Sequence, residues 1–237
     1  MPRCCSAVLR ARRARAEAVG DKKIAAPAQS WGDVPEALNR DSYNAIAASW
    51  DEARRSLSAR ERPYLDAFLA DLQVRSHILD LGCGTGRPIA EHILAQGHRV
   101  TGVDQAERLL ALARSRFPAA RWIESRIEHY APTENYAAVV CWDALFHIER
   151  VHHETLIRRI ARWLEPGGKL MLTFGGSKHA AFTDTMFGET FFYDSHAPEK
   201  ELSILREAGF KPLVADFIDA PTTGRDKGRY AVVASRD

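Results

Sequence analysis

The chain holds no apolar run near the ~18 residues that a membrane span requires, so the sequence offers no spanning helix. Cysteine is scarce: Cys4, Cys5, Cys83 and Cys141 are the whole set. No two of them stand in a metal-ligand spacing, and four so scattered do not form the framework of a small secreted fold. A reducing, cytoplasmic setting is the expectation. Strong charge is also missing, the formal net charge being +2 over 237 residues. That small excess sits in residues 1–23, where seven basic residues meet two acids, and the remainder carries −3. A mildly acidic body argues against a nucleic-acid-binding face.

The basic segment is rich in Arg and Ala and has no sustained apolar face. A disordered extension or an upstream start is the preferred reading. An organelle transit peptide shares its Arg-rich, acid-poor composition, and a nucleic-acid arm is the third reading. Residues 24–38, rich in Ala, Pro, Gly and Ser, read as linker. The expected organisation is therefore an extension and linker over 1–38 and one domain over 39–237.

What is present is a repeated alternation of short apolar runs and amphipathic stretches. Ser58 and Glu61 have the spacing of a capping box ahead of a helix carrying Leu65, Phe68, Leu69 and Leu72. Strands are predicted at Ile78–Leu81, Arg99–Asp104, Arg121–Glu124, Tyr136–Trp142 and Lys169–Phe174, with helices at Ile89–Gln96, Glu107–Phe117 and around Leu156–Leu164. That order implies a doubly wound parallel sheet with helices on both faces. Residues 175–198 show no period but many aromatics, and a helix at Glu199–Ala208 with strands near Leu213–Ile218 and Tyr230–Ser235 completes the chain.

The most informative stretch is His77–Pro88, in which an apolar run ends in Asp80 and then Gly82, Gly84 and Gly86 alternate. Glycines at a strand end permit a tight turn and let a ligand lie against bare backbone. A dinucleotide fingerprint has G-x-G-x-x-G; here the spacing is G-x-G-x-G. The next strand ends in Asp104, 18 residues after Gly86. A carboxylate there can accept both hydroxyls of a ribose, and its structural alternative is an N-cap for the following helix.

Taken together, Asp80–Gly86, Val103-Asp104, Cys141–His147 and Leu164–Lys169 resemble the class I S-adenosylmethionine-dependent methyltransferases, and Met186–His196 is similar to their bacterial small-molecule branch. The resemblance covers about Tyr43 to the C-terminus. It implies a Rossmann-like α/β fold, with a mostly parallel seven-stranded sheet whose last strand is antiparallel. It also implies S-adenosyl-L-methionine as cofactor and a small-molecule methyl acceptor, without nucleic acid, membrane or metal, in a monomer or homodimer. By this resemblance Asp80, Gly82, Cys83, Gly84 and Gly86 hold the methionyl and ribose parts. Asp104 takes the ribose hydroxyls, Gln105 flanks the adenine, and Trp142 places backbone near the sulfonium. Arg126 falls where relatives often carry an acid for the adenine edge. Ile127 packs on the ring, and Glu124 or Glu128 can replace the missing acid.

Tyr43, Trp50, Phe146 and Tyr193 offer aromatic faces to a sulfonium. Arg54 or Arg55 suits a carboxylate. His147, four residues after Asp143, is the candidate base; its alternative is a packing histidine. His152 and His153 read as solvated. A lid over residues 40–60 and 175–198 would put Met186, Phe191, Tyr193 and His196 toward the substrate. Two other readings use the same strand and turn: an NAD-type oxidoreductase, which the glycine spacing disfavours, and a non-catalytic methyltransferase-like binding protein.

Overall fold

A computed structural model describes residues 34–223 and 226–237. The basic segment, and with it Cys4 and Cys5, lies outside the described residues. Helix α1, Val34–Ala45, begins within the stretch read as linker, so the folded part starts ahead of Asn39. Helices α2 (Ala47–Ala53) and α3 (Arg62–Leu69) follow. The capping box forms as a reciprocal pair: the Ser58 amide donates to Glu61 Oε2 at 3.0 Å, and the Glu61 amide donates to Ser58 Oγ at 3.2 Å.

The alternation then runs β1 (His77–Leu81), α4 (Ile89–Ala95), β2 (Arg99–Asp104), α5 (Glu107–Arg116), β3 (Arg121–Glu124), β4 (Tyr136–Cys141), α6 (His153–Trp163) and β5 (Leu164–Gly175). A hairpin, β6 (Phe182–Met186) and β7 (Glu189–Tyr193), precedes α7 (Pro198–Glu207), β8 (Phe210–Asp219) and β9 (Arg229–Arg236). The main sheet has seven strands in the order β3-β2-β1-β4-β5-β9-β8. The first five are parallel, and β9 enters antiparallel between β5 and β8. The expected fold class is the one observed.

The physical cause is visible in burial. Strand β1 is covered on both faces, Ile78, Leu79 and Leu81 all having no exposure, as buried parallel strands require. One face packs on α6 and α7 through Leu79, Ile157, Ile160 and Ile204. The other packs on α3 and α4 through Ile78, Phe68, Ala90 and Ile93. Strand order reverses between β1 and β4, which opens a crevice at their carboxyl ends.

Two elements differ from expectation. Strand β5 starts at Leu164 rather than Lys169, because Tyr136 pairs with Leu164 and the ladder then shifts to Ala138–Lys169 around Pro166, Gly167 and Gly168. The aperiodic stretch 175–198 contains the β6–β7 hairpin. Its period is hidden because Phe191 and Phe192 are adjacent, and both have no exposure although a strand sends neighbours to opposite faces. Helix α1 lies over the hairpin. Asn39, 1% exposed, donates to the carbonyls of His147 (3.0 Å) and Phe192 (3.1 Å) and accepts the Phe192 amide (2.8 Å). Ser42 adds a bond to the Thr190 carbonyl at 2.5 Å.

Candidate active site

The crevice at the switch point holds a cavity lined by β1–β2 residues Asp80, Gly82, Cys83, Gly84, Asp104 and Gln105. From β4 and the turn after it come Trp142, Asp143, Ala144 and His147, and α1 and α2 supply Tyr43, Trp50 and Arg54. Ile127 and Glu128 close the far side. So residues from five places in the sequence meet in one space.

The floor is the glycine turn. Gly82 has φ +77°, and a Cβ there would stand 2.4 Å from the Ala144 Cβ, so only glycine fits. Asp104 pins the turn: its Oδ2 accepts the Gly84 amide at 2.9 Å and its Oδ1 the Ala106 amide at 2.8 Å. The carboxylate does not cap α5, whose start has no side-chain cap. Burial raises the Asp104 pKa despite these bonds. Gly86 is not part of the cavity wall. The place of its missing side chain is taken by the Trp122 and Phe117 rings, 3.0 and 3.1 Å from an added Cβ, and its φ of +76° also calls for glycine in this turn.

Asp80 is 4% exposed, and no described residue donates a hydrogen bond to its carboxyl. Burial, and then the nearby Asp104 charge, push its pKa up to about 7. A carboxyl in that condition is a fitting partner for a ligand's cationic donor. Cys83 lines the same floor, its thiol pKa pushed well up by burial and by the Asp104 and Asp80 charges.

At the end of β4, Asp143 adopts φ +54°, a left-handed conformation rare outside glycine. Its amide donates to Thr173 Oγ1 at 2.8 Å, and its carboxylate accepts from Arg229 of β9 at 2.7 and 2.8 Å. Burial alone would raise its pKa, but the Arg229 and Arg54 guanidiniums with the Arg229 and Thr173 hydrogen bonds outweigh it, and the pKa is lowered. Arg54, 5% exposed, pairs with Glu61 at 2.8 Å, and the same Glu61 oxygen accepts the Trp142 indole N–H at 3.1 Å. Arg55 instead points outward, on Glu52.

The two ring nitrogens of His147 are both engaged. Nδ1 lies 3.0 Å from the Phe192 carbonyl and Nε2 lies 2.9 Å from the Tyr43 hydroxyl. Burial lowers its pKa to about 4, against smaller raising effects of the Phe192 bond and the Asp143 charge. The ring is therefore neutral at pH 7 and already bonded, which is the packing role rather than that of a free base.

Other expectations need correction. Arg126 does not line the cavity; its guanidinium holds Glu128 at 2.9 Å, and Glu128 is the carboxylate that reaches the wall. Met186 lies at the hairpin tip, and His196 packs against His153 at 5.9 Å, so neither borders the cavity. Phe191 has no exposure and supports the Tyr43 ring at 4.8 Å. Tyr193 stands behind His147 at 4.9 Å, stacked on Phe182. His153 is not solvated: it is fully buried, with Nδ1 2.6 Å from Glu201. Sequence reasoning missed the Asn39 clasp and the Asp143–Arg229 pair. Both join segments remote in the chain, and only the fold supplies that proximity.

Fold and site together define a Rossmann-like protein with a nucleotide-type crevice. Residues 78–168 match the family described as Methyltransferase domain. A trans-aconitate 2-methyltransferase of Paracidovorax citrulli is 34% identical over 144 residues, covering 58% of this chain and 54% of that protein. A ubiquinone biosynthesis O-methyltransferase of Xanthomonas oryzae is 30% identical over 161 residues, covering 64% and 66%. The matched part thus spans about half to two thirds of these relatives' length. Among solved structures, the 1,6-didemethyltoxoflavin-N1-methyltransferase of Burkholderia thailandensis, with S-adenosylhomocysteine bound, has a TM-score of 0.64 at 20% identity, covering 92% of this chain and 93% of that one. The chain belongs to the class I S-adenosylmethionine-dependent methyltransferases.

Proposed function

We propose that the chain is an enzyme that binds S-adenosyl-L-methionine in this crevice and transfers its methyl group to a small-molecule acceptor. The observation that carries the reading is the facing pair of Asp104 and the Gly82–Gly84 backbone across one cavity, with the undonated carboxyl of Asp80 beside them. In this reading Asp104 takes the ribose hydroxyls with the lone pairs that the Gly84 and Ala106 amides leave. Asp80 receives the methionyl ammonium, and Arg54 faces the methionyl carboxylate. Gln105, Ile127 and Glu128 border the adenine, and Tyr43 and Trp50 roof the space.

When bound, the cofactor supplies a methyl group activated by a sulfonium. The residues of the chain then align the acceptor and exclude water. Alignment of this kind lowers barriers by roughly 7–11 kcal/mol, more than the about 10²–10⁴-fold that a general base contributes. A neutral, doubly bonded His147 agrees with that ranking. The small roof of α1, α2 and the β6–β7 hairpin suits a small acceptor, and the relatives named above act on small molecules.

The test has two parts. Calorimetry with S-adenosylmethionine, S-adenosylhomocysteine and NAD decides the cofactor; binding of NAD alone would favour the oxidoreductase. A radiolabelled methyl assay against a metabolite extract then separates an enzyme from a binding protein.

A further inference from the structure

Strand β4 does not run straight into the turn that follows it. Asp143, just past the end of the strand, takes φ +54°, and Ala144 returns to φ −124° before the turn Leu145–His147. The described residues other than glycine with a positive φ are Asp71, Arg75, Asp143 and Phe187. Of these, Asp143 alone lines the cavity. Its neighbours on both sides are committed. Trp142 is tied through its indole N–H to Glu61, and Ala144 is seated on the glycine floor, its Cβ 2.4 Å from the place of a Gly82 Cβ. The left-handed residue between them therefore sets where Ala144 meets Gly82.

A residue with a side chain leaves that conformation unless something holds it. Here the hold comes from two other strands. Thr173 of β5, fully buried, accepts the Asp143 amide at 2.8 Å and donates to Oδ1 at 3.2 Å. Arg229 of β9, one strand beyond β5, gives a single nitrogen, Nη1, to both carboxylate oxygens. Arg229 is itself fixed from behind. Its Nε and Nη2 lie 2.8 and 2.7 Å from Asp219 Oδ2 of β8, and the other Asp219 oxygen takes Arg60 at 2.8 Å. A guanidinium clamped at both ends gives the Asp143 carboxylate one place to be. Burial alone would raise the Asp143 pKa, but the Arg229 and Arg54 charges lower it, so the hold persists at neutral pH.

We propose that Arg229 is a positioning residue for the cofactor crevice: through the Asp143 carboxylate it holds the left-handed turn that seats Ala144 on the glycine floor. The inference rests on the cofactor reading above. It makes the site depend on β8 and β9, which contribute no residue to the cavity wall. A molecule whose turn leaves this conformation does not bind, so the apparent dissociation constant rises as the competent fraction falls.

The test is calorimetry of the full chain with S-adenosylhomocysteine, well below the melting temperature of each variant, with the melting curve recorded alongside. Left-handed backbone disfavours alanine by a factor of roughly five to thirty. Asp143→Ala removes the carboxylate and keeps that cost, and is expected to weaken binding by about the same factor. Asp143→Gly removes the carboxylate and the cost together, and is expected to bind at least about threefold tighter than Asp143→Ala. Arg229→Ala is expected to weaken binding about fivefold or more, and adding Asp143→Gly to recover most of the loss. A pair that served stability alone would lower the melting temperature and leave the affinity of the folded protein unchanged. Equal affinities for Asp143→Ala and Asp143→Gly, or parental affinity in folded Arg229→Ala, would overturn the inference while leaving the cofactor reading intact. Failure of the parent protein to bind would overturn both. The comparison of the two Asp143 variants needs no change at Arg229, so the outcome does not depend on Arg229→Ala folding.

Discussion

Raising the pH through 7 should tighten cofactor binding, and the cause is one carboxyl. Asp80 has its pKa raised from an ordinary 3.8 to about 7, by burial first and by the Asp104 charge second. A ligand ammonium against it favours the ionised form, so binding below pH 7 must release a proton. With a free-protein pKa of about 7 and a much lower value in the complex, S-adenosylhomocysteine should bind about tenfold more weakly at pH 6 than at pH 8. The slope should flatten above pH 8. Titration calorimetry in two buffers of different ionisation enthalpy would report the affinity and the proton released. Asp80→Asn should bind more weakly at pH 8 and lose most of the slope. An affinity that does not change between pH 6 and 8 in the parent protein, with no proton released, would refute the argument.

The same group predicts the opposite trend for the ligand-free protein. A raised carboxyl pKa contributes stability that is full below the unfolded value and is lost as pH rises through about 7, so the melting temperature without ligand should fall from pH 6 to 8, and Asp80→Asn should suppress the fall. Asp104→Ala should abolish cofactor binding at micromolar concentrations, because it removes the proposed ribose acceptor and unpairs the Gly84 and Ala106 amides; unchanged affinity in calorimetry would remove the ribose assignment. Gly82→Ala should eliminate binding, and adding Ala144→Gly should restore part of it by relieving the 2.4 Å contact, with the left-handed backbone cost of about 1–2 kcal/mol remaining. Arg229→Ala should destabilise the fold by about 1–3 kcal/mol in urea denaturation, since it leaves the Asp143 carboxylate with only the Thr173 hydroxyl and the Arg54 charge.

The parallel half of the fold was legible because each buried strand is a short apolar run ended by a turn residue. Arg99–Asp104 and Arg121–Glu124 are observed with the bounds expected. The cavity floor was legible for the same reason, since Asp80, Gly82 and Asp104 sit at strand ends, where the chain order alone puts them in the crevice. The roof was not. Phe191 and Phe192 are both buried, one under Tyr43 and the other held by Asn39, so the hairpin has no alternation to detect. His153 looked solvated because its partner Glu201 lies 48 residues away on another helix. Arg126 matched the family position by alignment, yet the turn after β3 brings Ile127 and Glu128 to the wall instead.

On the proposed function, the glycine floor and Asp104 grip an adenosyl compound beneath the Tyr43–Trp50 roof. A crystal structure grown with S-adenosylhomocysteine tests it most directly. The ligand is expected in the crevice with its ribose hydroxyls on the Asp104 carboxylate and its ammonium beside Asp80. A crevice filled by its own side chains, or a ribose held away from Asp104, would contradict it.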